Sequence, residues 1–168
     1  MLGGYDGPLR DAVLRGKRAA GEDGCRGLAS LWLRRHGWSA RGWKCDCVVP
    51  VPLHWTRRIA RGSSATDTLA TTIARGLGLP ASRGLRRVRS TRMQNELPPE
   101  DRPRNVRGAF RCDPAVRGRR VLLVDDVVTT GSTLDACCRE FLAAGAAEVF
   151  MAAMAKADRS DSLGSPAS

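Results

Sequence analysis

The chain has 168 residues, with 28 Lys and Arg against 17 Asp and Glu and a formal charge of +11 at pH 7. That length suits one α/β domain with a sizeable core and is too short for two domains of ordinary size. No apolar run approaches the roughly 20 residues that cross a bilayer, the first residues lack the regions of a signal peptide, and no cysteine pair has the Cys-x-x-Cys spacing of a zinc site. A cytoplasmic protein with reduced, packed thiols and no metal on cysteine is expected.

Helical periodicity runs from Tyr5 to His36 in two pieces divided at Gly21 to Gly24, with Leu9, Val13 and Leu14 on one face of the first and Leu28, Leu31 and Trp32 on one face of the second. Cys47-Val48-Val49-Pro50-Val51-Pro52 is a short apolar run closed by prolines, a buried strand ending in a loop. The loop is basic and passes through His54, Arg57, Arg58, Arg61 and Gly62. Ser63 or Ser64 then caps a helix that carries Leu69, Ile73 and Leu77 inward and stops at Gly78 and Pro80. His54, beside Trp55 at a strand end, reads as structural rather than as a base.

Leu85 to Arg89 is a second short strand. Ser90 to Gly108 is polar, rich in Arg and Pro and without apolar periodicity, a long loop for which a lid over a reactive intermediate is a physical reason and disorder without function the alternative. Ala109-Phe110-Arg111 forms a short strand, Arg120 to Val124 the central strand, Thr133 to Ala144 its helix and Glu148 to Ala155 the last strand. Strands alternating with helices predict a parallel sheet flanked by helices, joined by right-handed crossovers. The chain divides into an N-terminal helical flank or hood at 1–46, a core at 47–156 and a disordered tail at 157–168.

The segment richest in chemistry is Val121-Leu122-Leu123-Val124-Asp125-Asp126-Val127-Val128-Thr129-Thr130-Gly131-Ser132-Thr133. Four consecutive apolar residues suit a strand covered on both faces, and acids at its carboxyl end lie where open α/β sheets bind ligands. The turn that follows has three hydroxyls and a glycine before a helix whose first N–H groups can receive a phosphate. Two adjacent carboxylates repel a phosphate and suit ribose hydroxyls or Mg²⁺, so the ligand implied is a phosphorylated sugar. No Lys follows Gly131 and the loop has one glycine, which excludes the P-loop and dinucleotide motifs. The competing reading is an ordinary turn with Ser132 or Thr133 as a helix cap.

All but Lys17, Lys44 and Lys156 of the basic residues are arginine, which suits bidentate phosphate contact. The charge fits either nucleic acid or a sugar bearing pyrophosphate. Too few aromatic residues interleave with the arginines to build a stacking platform for single strands.

The 121–133 run matches the signature with which type I phosphoribosyltransferases hold phosphoribosyl pyrophosphate, and the chain from Tyr5 to Ala155 resembles the ComF/GntX family of phosphoribosyltransferase-like proteins, associated with competence for DNA uptake. Similar to that family are Tyr5-Asp6-Gly7-Pro8-Leu9-Arg10 with Lys17, Val49-Pro50-Val51-Pro52-Leu53-His54 with Arg61-Gly62, and Thr91, Gln94, Leu97, Arg102, Asn105-Val106 and Ala109-Phe110 in order. The resemblance implies a type I phosphoribosyltransferase fold with a flexible lid loop and a small N-terminal helical hood. It begins after the cysteine-rich zinc module common in the family, with that module either absent or lost from the start, so zinc is not carried over.

The activity implied is transfer of the phosphoribosyl group, with displacement of pyrophosphate by a nitrogen acceptor that the sequence does not name, and with Mg²⁺ bound mainly through the substrate. Asp125 and Asp126 would be the catalytic acids on the ribose hydroxyls, and Thr129, Thr130, Gly131, Ser132 and Thr133 the 5′-phosphate site. Arg57, Arg58 and Arg61 are candidates for the diphosphate, and Arg92, Gln94, Arg102, Arg104 and Asn105 for the lid. Where the family usually has Phe-Asn-Gln after its Arg-Gly, this chain has Ser63-Ser64-Ala65; the serines still offer hydroxyls, but Ala65 replaces an amide that donates and accepts. The alternative implied is a weakly catalytic or non-catalytic phosphoribosyl-pyrophosphate-binding protein, with partners in DNA uptake or processing. A third reading, nucleic acid binding by the basic surface, predicts steeply salt-dependent association.

Overall fold

The computed structural model describes residues 1–17, 21–52, 64–89, 91, 97–98 and 100–157. Among them, β1 (Gly3–Gly4), β2 (Cys47–Pro50), β5 (Arg120–Val128) and β6 (Glu148–Lys156) form one sheet in the order β1-β6-β5-β2, every neighbouring pair parallel. Helices α1 (Gly7–Gly16), α2 (Glu22–Gly42) and α3 (Ala65–Leu77) lie on one face and α5 (Ser132–Ala143) on the other. The outer edge of β2 is closed by Val48, which donates its N–H to Pro80 O and accepts from Ser82 N.

The apolar run of β5 is continuous because both faces are covered. Leu122 and Val124 join Val48, Met154, Trp32, Leu69 and Ile73 in one core; Val121 and Leu123 join Val49, Leu134, Cys137 and Phe141 in the other. This is the two-residue alternation of a strand. The same alternation assigns Asp125 to the α5 face and Asp126 to the face of α1 and α2.

Several expectations are corrected. α2 begins at Glu22 and runs to Gly42, so Gly24 is inside it and the break falls near Gly21; Glu22 and Asp23 in its first turn favour that start electrostatically. Leu14 and Leu31 are exposed rather than on the buried stripes. The segments β3 (Leu85–Arg87) and β4 (Phe110–Cys112) leave the main sheet and pair with each other, antiparallel. Leu85 and Phe110 are buried while Arg86 and Arg111 are exposed, the one-sided pattern of a ribbon rather than of a strand covered twice.

Inside the expected loop, Arg102–Val106 forms a short helix, α4, with Pro near its start and Val106 fully buried against the core under α5. Five residues are too few to display a helical period. The central strand extends beyond Val124 to Val128, because β6 runs beside it to Lys156. β1 was not foreseen; Gly3 and Gly4 have no side chains to signal it, and it is held through the backbone, with Leu2 N–H on Met154 O at 2.9 Å and Tyr5 N–H on Lys156 O at 2.6 Å. The tail expected at 157–168 lies, beyond Ala157, outside the described residues.

Candidate functional site

The site is built at the carboxyl ends of β5 and β6. Asp125 and Asp126 are the first polar residues after four fully buried ones, and both are partly buried. Asp125 Oδ1 accepts the Asp126 N–H at 2.9 Å, and Asp126 Oδ1 accepts the Val127 N–H at 2.7 Å. Asp126 Oδ2 meets Lys17 Nζ at 2.9 Å, with both side chains largely shielded from water.

Past Val128 the chain turns. Thr129 and Thr130 are exposed, Gly131 has φ 81° and ψ −9°, and α5 starts at Ser132. Gly131 is itself the N-cap residue, and the Thr130 hydroxyl just before it accepts the Ser132 N–H at 3.5 Å. Neither Ser132 nor Thr133 is therefore the N-cap residue. The Ser132 hydroxyl is buried against the Thr130 hydroxyl at 2.8 Å, which braces the turn from within. A helix start carries backbone N–H groups with the positive end of the helix dipole behind them, the features that suit an anion.

Burial pushes the Asp125 carboxyl up to about 8, and the Asp126 charge adds to the rise; the Asp126 N–H and Lys17 oppose it without cancelling it. Its unfolded-state counterpart titrates near 3.8. Between those values the folded chain binds more protons than the unfolded one, so stability falls as pH rises and levels off above the folded value. In ligand-free protein at constant ionic strength, Tm should decline from about pH 5 to pH 8. Asp125→Asn, which cannot ionise, should flatten that decline; an unchanged pH slope in calorimetry would contradict the assignment. The neighbouring thiols follow the two faces. Cys137 on α5 is raised by burial and then by Asp125, whereas Cys25 on α2 is raised by burial and then by Asp126.

Of the other expected site residues, Arg57, Arg58, Arg61, Arg92 and Gln94, with His54 and Ser63, lie outside the described residues. Arg102, Arg104 and Asn105 are on α4, which packs against α5. Arg102 Nε–H donates to Leu97 O at 3.1 Å, and Arg89 donates to Asn105 O and Arg107 O. Residues 102–106 are thus docked beside the helix that opens at Gly131, not part of a free loop. Ser64 is a second correction. It is buried, and its hydroxyl shares a 2.6 Å hydrogen bond with Thr66 Oγ1, which in turn donates to Val51 O. That hydroxyl holds the start of α3 to the end of β2 and does not face a ligand.

Lys17 was not foreseen as a site residue. Its only signal was membership of a resembling segment, and nothing local relates it to a strand so distant in sequence.

A parallel sheet with an acid pair at the end of its central strand, running on into a glycine turn and a helix, defines a protein of the type I phosphoribosyltransferase class. The chain belongs to the phosphoribosyl transferase domain family, whose profile matches residues 59–164, and is ComF-like within it. It is 41% identical over 105 residues to DNA utilization protein YhgH of Salmonella typhi, covering 62% of this chain and 46% of that one. It is 34% identical over 116 residues to competence protein F of Haemophilus influenzae, covering 67% and 51%. The chain thus spans about half the length of the curated relatives it matches. The same fold occurs in a solved allosteric regulatory enzyme of purine biosynthesis, with TM-score 0.54 and 22% identity over 77% of this chain and 25% of the other. No helix among the described residues is long and apolar enough to cross a membrane.

Proposed function

We propose that this protein transfers the phosphoribosyl group of Mg²⁺-phosphoribosyl pyrophosphate to a nitrogen acceptor. The observation that carries this reading is the unbroken passage from the acid pair on β5 to the Gly131 turn and the start of α5. Acids and anion receptor are thereby held on one rigid strand-turn-helix unit, as a ligand with a diol at one end and a phosphate at the other requires.

In the reaction the bond from C1 to the diphosphate oxygen breaks, the electron pair leaves with diphosphate, C1 bonds to nitrogen and the nitrogen gives up a proton. Asp125, mostly protonated below pH 8, and the Asp126 carboxylate hold the ribose hydroxyls, and Asp126 places negative charge near the developing cation at C1. Residues 129 to 133 anchor the 5′-phosphate as a fixed handle. Among the described residues no group of three or more His, Cys, Asp or Glu forms a metal-binding cluster. Mg²⁺ would be held mainly through the substrate's diphosphate, where it would neutralise the leaving group.

A second reading is favoured by Ser64. Its hydroxyl is spent on Thr66, and Ala65 opens α3 where the family usually offers an amide. A diphosphate side so depleted supports sugar-phosphate binding with little turnover, in a protein of DNA uptake or utilization like the relatives named above.

Calorimetry with saturating Mg²⁺-phosphoribosyl pyrophosphate tests the shared claim. At a concentration one hundred times Kd, linkage contributes about 2.7 kcal/mol, or a Tm increase of roughly 5–10 °C for a chain of this size. No shift would remove both readings. Pyrophosphate release with a panel of bases, with and without Mg²⁺, then separates the enzyme from the binding protein.

A further inference from the structure

Two neighbouring carboxyl groups at a sheet edge offer oxygens that can serve either a divalent cation or the hydroxyls of a sugar. The ion pair between Lys17 and Asp126 breaks that tie. Resting on the phosphoribosyl reading above, we propose that Lys17 is a specificity-determining positioning residue, whose ammonium on Asp126 reserves the acid pair for uncharged vicinal hydroxyls and denies it to a free divalent cation.

The geometry supports this in three ways. Lys17 Nζ stands 2.9 Å from Asp126 Oδ2, within the coordination shell that a cation on that oxygen would need. A cation approaching the pair therefore meets a fixed positive charge and must displace it. A hydroxyl meets no such barrier, because a carboxylate oxygen engaged by one donor keeps a second lone pair. Asp126 Oδ1 and Asp125 Oδ1 each accept one backbone N–H and retain that capacity.

Lys17 is also held in place. It is the C-terminal cap residue of α1, and α1 follows directly from β1, which is hydrogen-bonded to β6 beside the acids. Gly16, just before it, is buried against α2: a Cβ there would stand 2.7 Å from Cys25 Sγ, and the Cys25 thiol donates to Gly16 O at 3.4 Å. The N-terminal segment thus presents one charge to the site from a backbone with little room to move. Finally, the residue is lysine in a chain whose basic residues are nearly all arginine. A compact point charge can rest on one carboxylate oxygen, whereas a planar guanidinium tends to engage both.

The test uses the full chain and Mn²⁺ alone, without sugar phosphate, followed by Mg²⁺-phosphoribosyl pyrophosphate. Wild type, Lys17→Met, Lys17→Arg and the double variant Lys17→Met with Asp126→Asn are compared by calorimetry. Lys17→Met should bind Mn²⁺ at least about tenfold more tightly than wild type and bind the sugar phosphate about tenfold more weakly. Lys17→Arg should stay with wild type in Mn²⁺ binding, and the double variant should lose the gained metal affinity. A merely structural lysine would not produce a gain of metal binding rescued by arginine, and Lys17→Gln provides a second neutral variant should the methionine misfold. Equal Mn²⁺ affinities in wild type and the neutral variants, with sugar-phosphate binding intact, overturn the role of Lys17 alone. Failure of wild type to bind the sugar phosphate overturns the reading beneath it and this proposal with it.

Discussion

Asp125→Asn combined with Asp126→Asn is expected to lower phosphoribosyl transfer by more than about a hundredfold, the scale seen when preorganised charge is removed from a developing transition state. Both carboxylates lie at the ligand edge of the sheet, past the last fully buried residue of β5. An asparagine carbonyl can still accept the Asp126 and Val127 N–H groups, so the strand end keeps its local hydrogen bonds. Burial disfavours the Asp125 charge in the folded chain, and an amide there relieves that cost. The pair with Lys17 is lost, and its exposed part is screened by solvent. Chemistry should therefore suffer far more than folding. Pyrophosphate release beside thermal melts of the same samples decides it: near-wild-type transfer in a folded double variant would put the chemistry elsewhere.

Gly131→Val is expected to weaken sugar-phosphate binding by more than tenfold, about 1.4 kcal/mol. The cause is conformational. A Cβ on Gly131 would meet nothing nearer than Asp135 Oδ2 at 3.9 Å, so space is available in the ligand-free turn. The backbone, however, sits at φ 81°, where a β-branched residue is strongly disfavoured. Relief of that strain rotates the peptide groups of the turn, and with them the N–H groups proposed to hold the phosphate. Gly131→Ala, with one methyl and the same unfavourable φ, should fall between. Calorimetric affinity set against unliganded Tm for wild type and both variants separates binding from folding. If the valine variant binds phosphoribosyl pyrophosphate as tightly as wild type, the 129–133 segment is an ordinary turn.

The sequence alone determined the central unit of this protein. Val121 to Val124 announce a strand covered on both faces, Asp125 and Asp126 mark its carboxyl end, and Gly131 marks the place in the following turn where the backbone takes a positive φ. Each of these is a local demand, met by residues within a few positions of one another, and local periodicity can express it. The parallel sheet followed from the same alternation of strands and helices.

Tertiary structure decided what depends on contacts between distant segments. Leu85–Arg87 and Phe110–Cys112 have strand patterns, but only folding made them an antiparallel ribbon rather than members of the sheet. Gly3–Gly4 pairs with β6 through backbone groups that every sequence has, so no side chain could announce it. The Ser64 hydroxyl was legible as a donor, but its burial against Thr66 was not, because burial belongs to the packing of α3 on β2. Lys17 lies at the end of a helix far from Asp126 in sequence, and it comes to stand beside the acid pair only because β1 and α1 dock beside β6 and bring one ammonium onto Asp126.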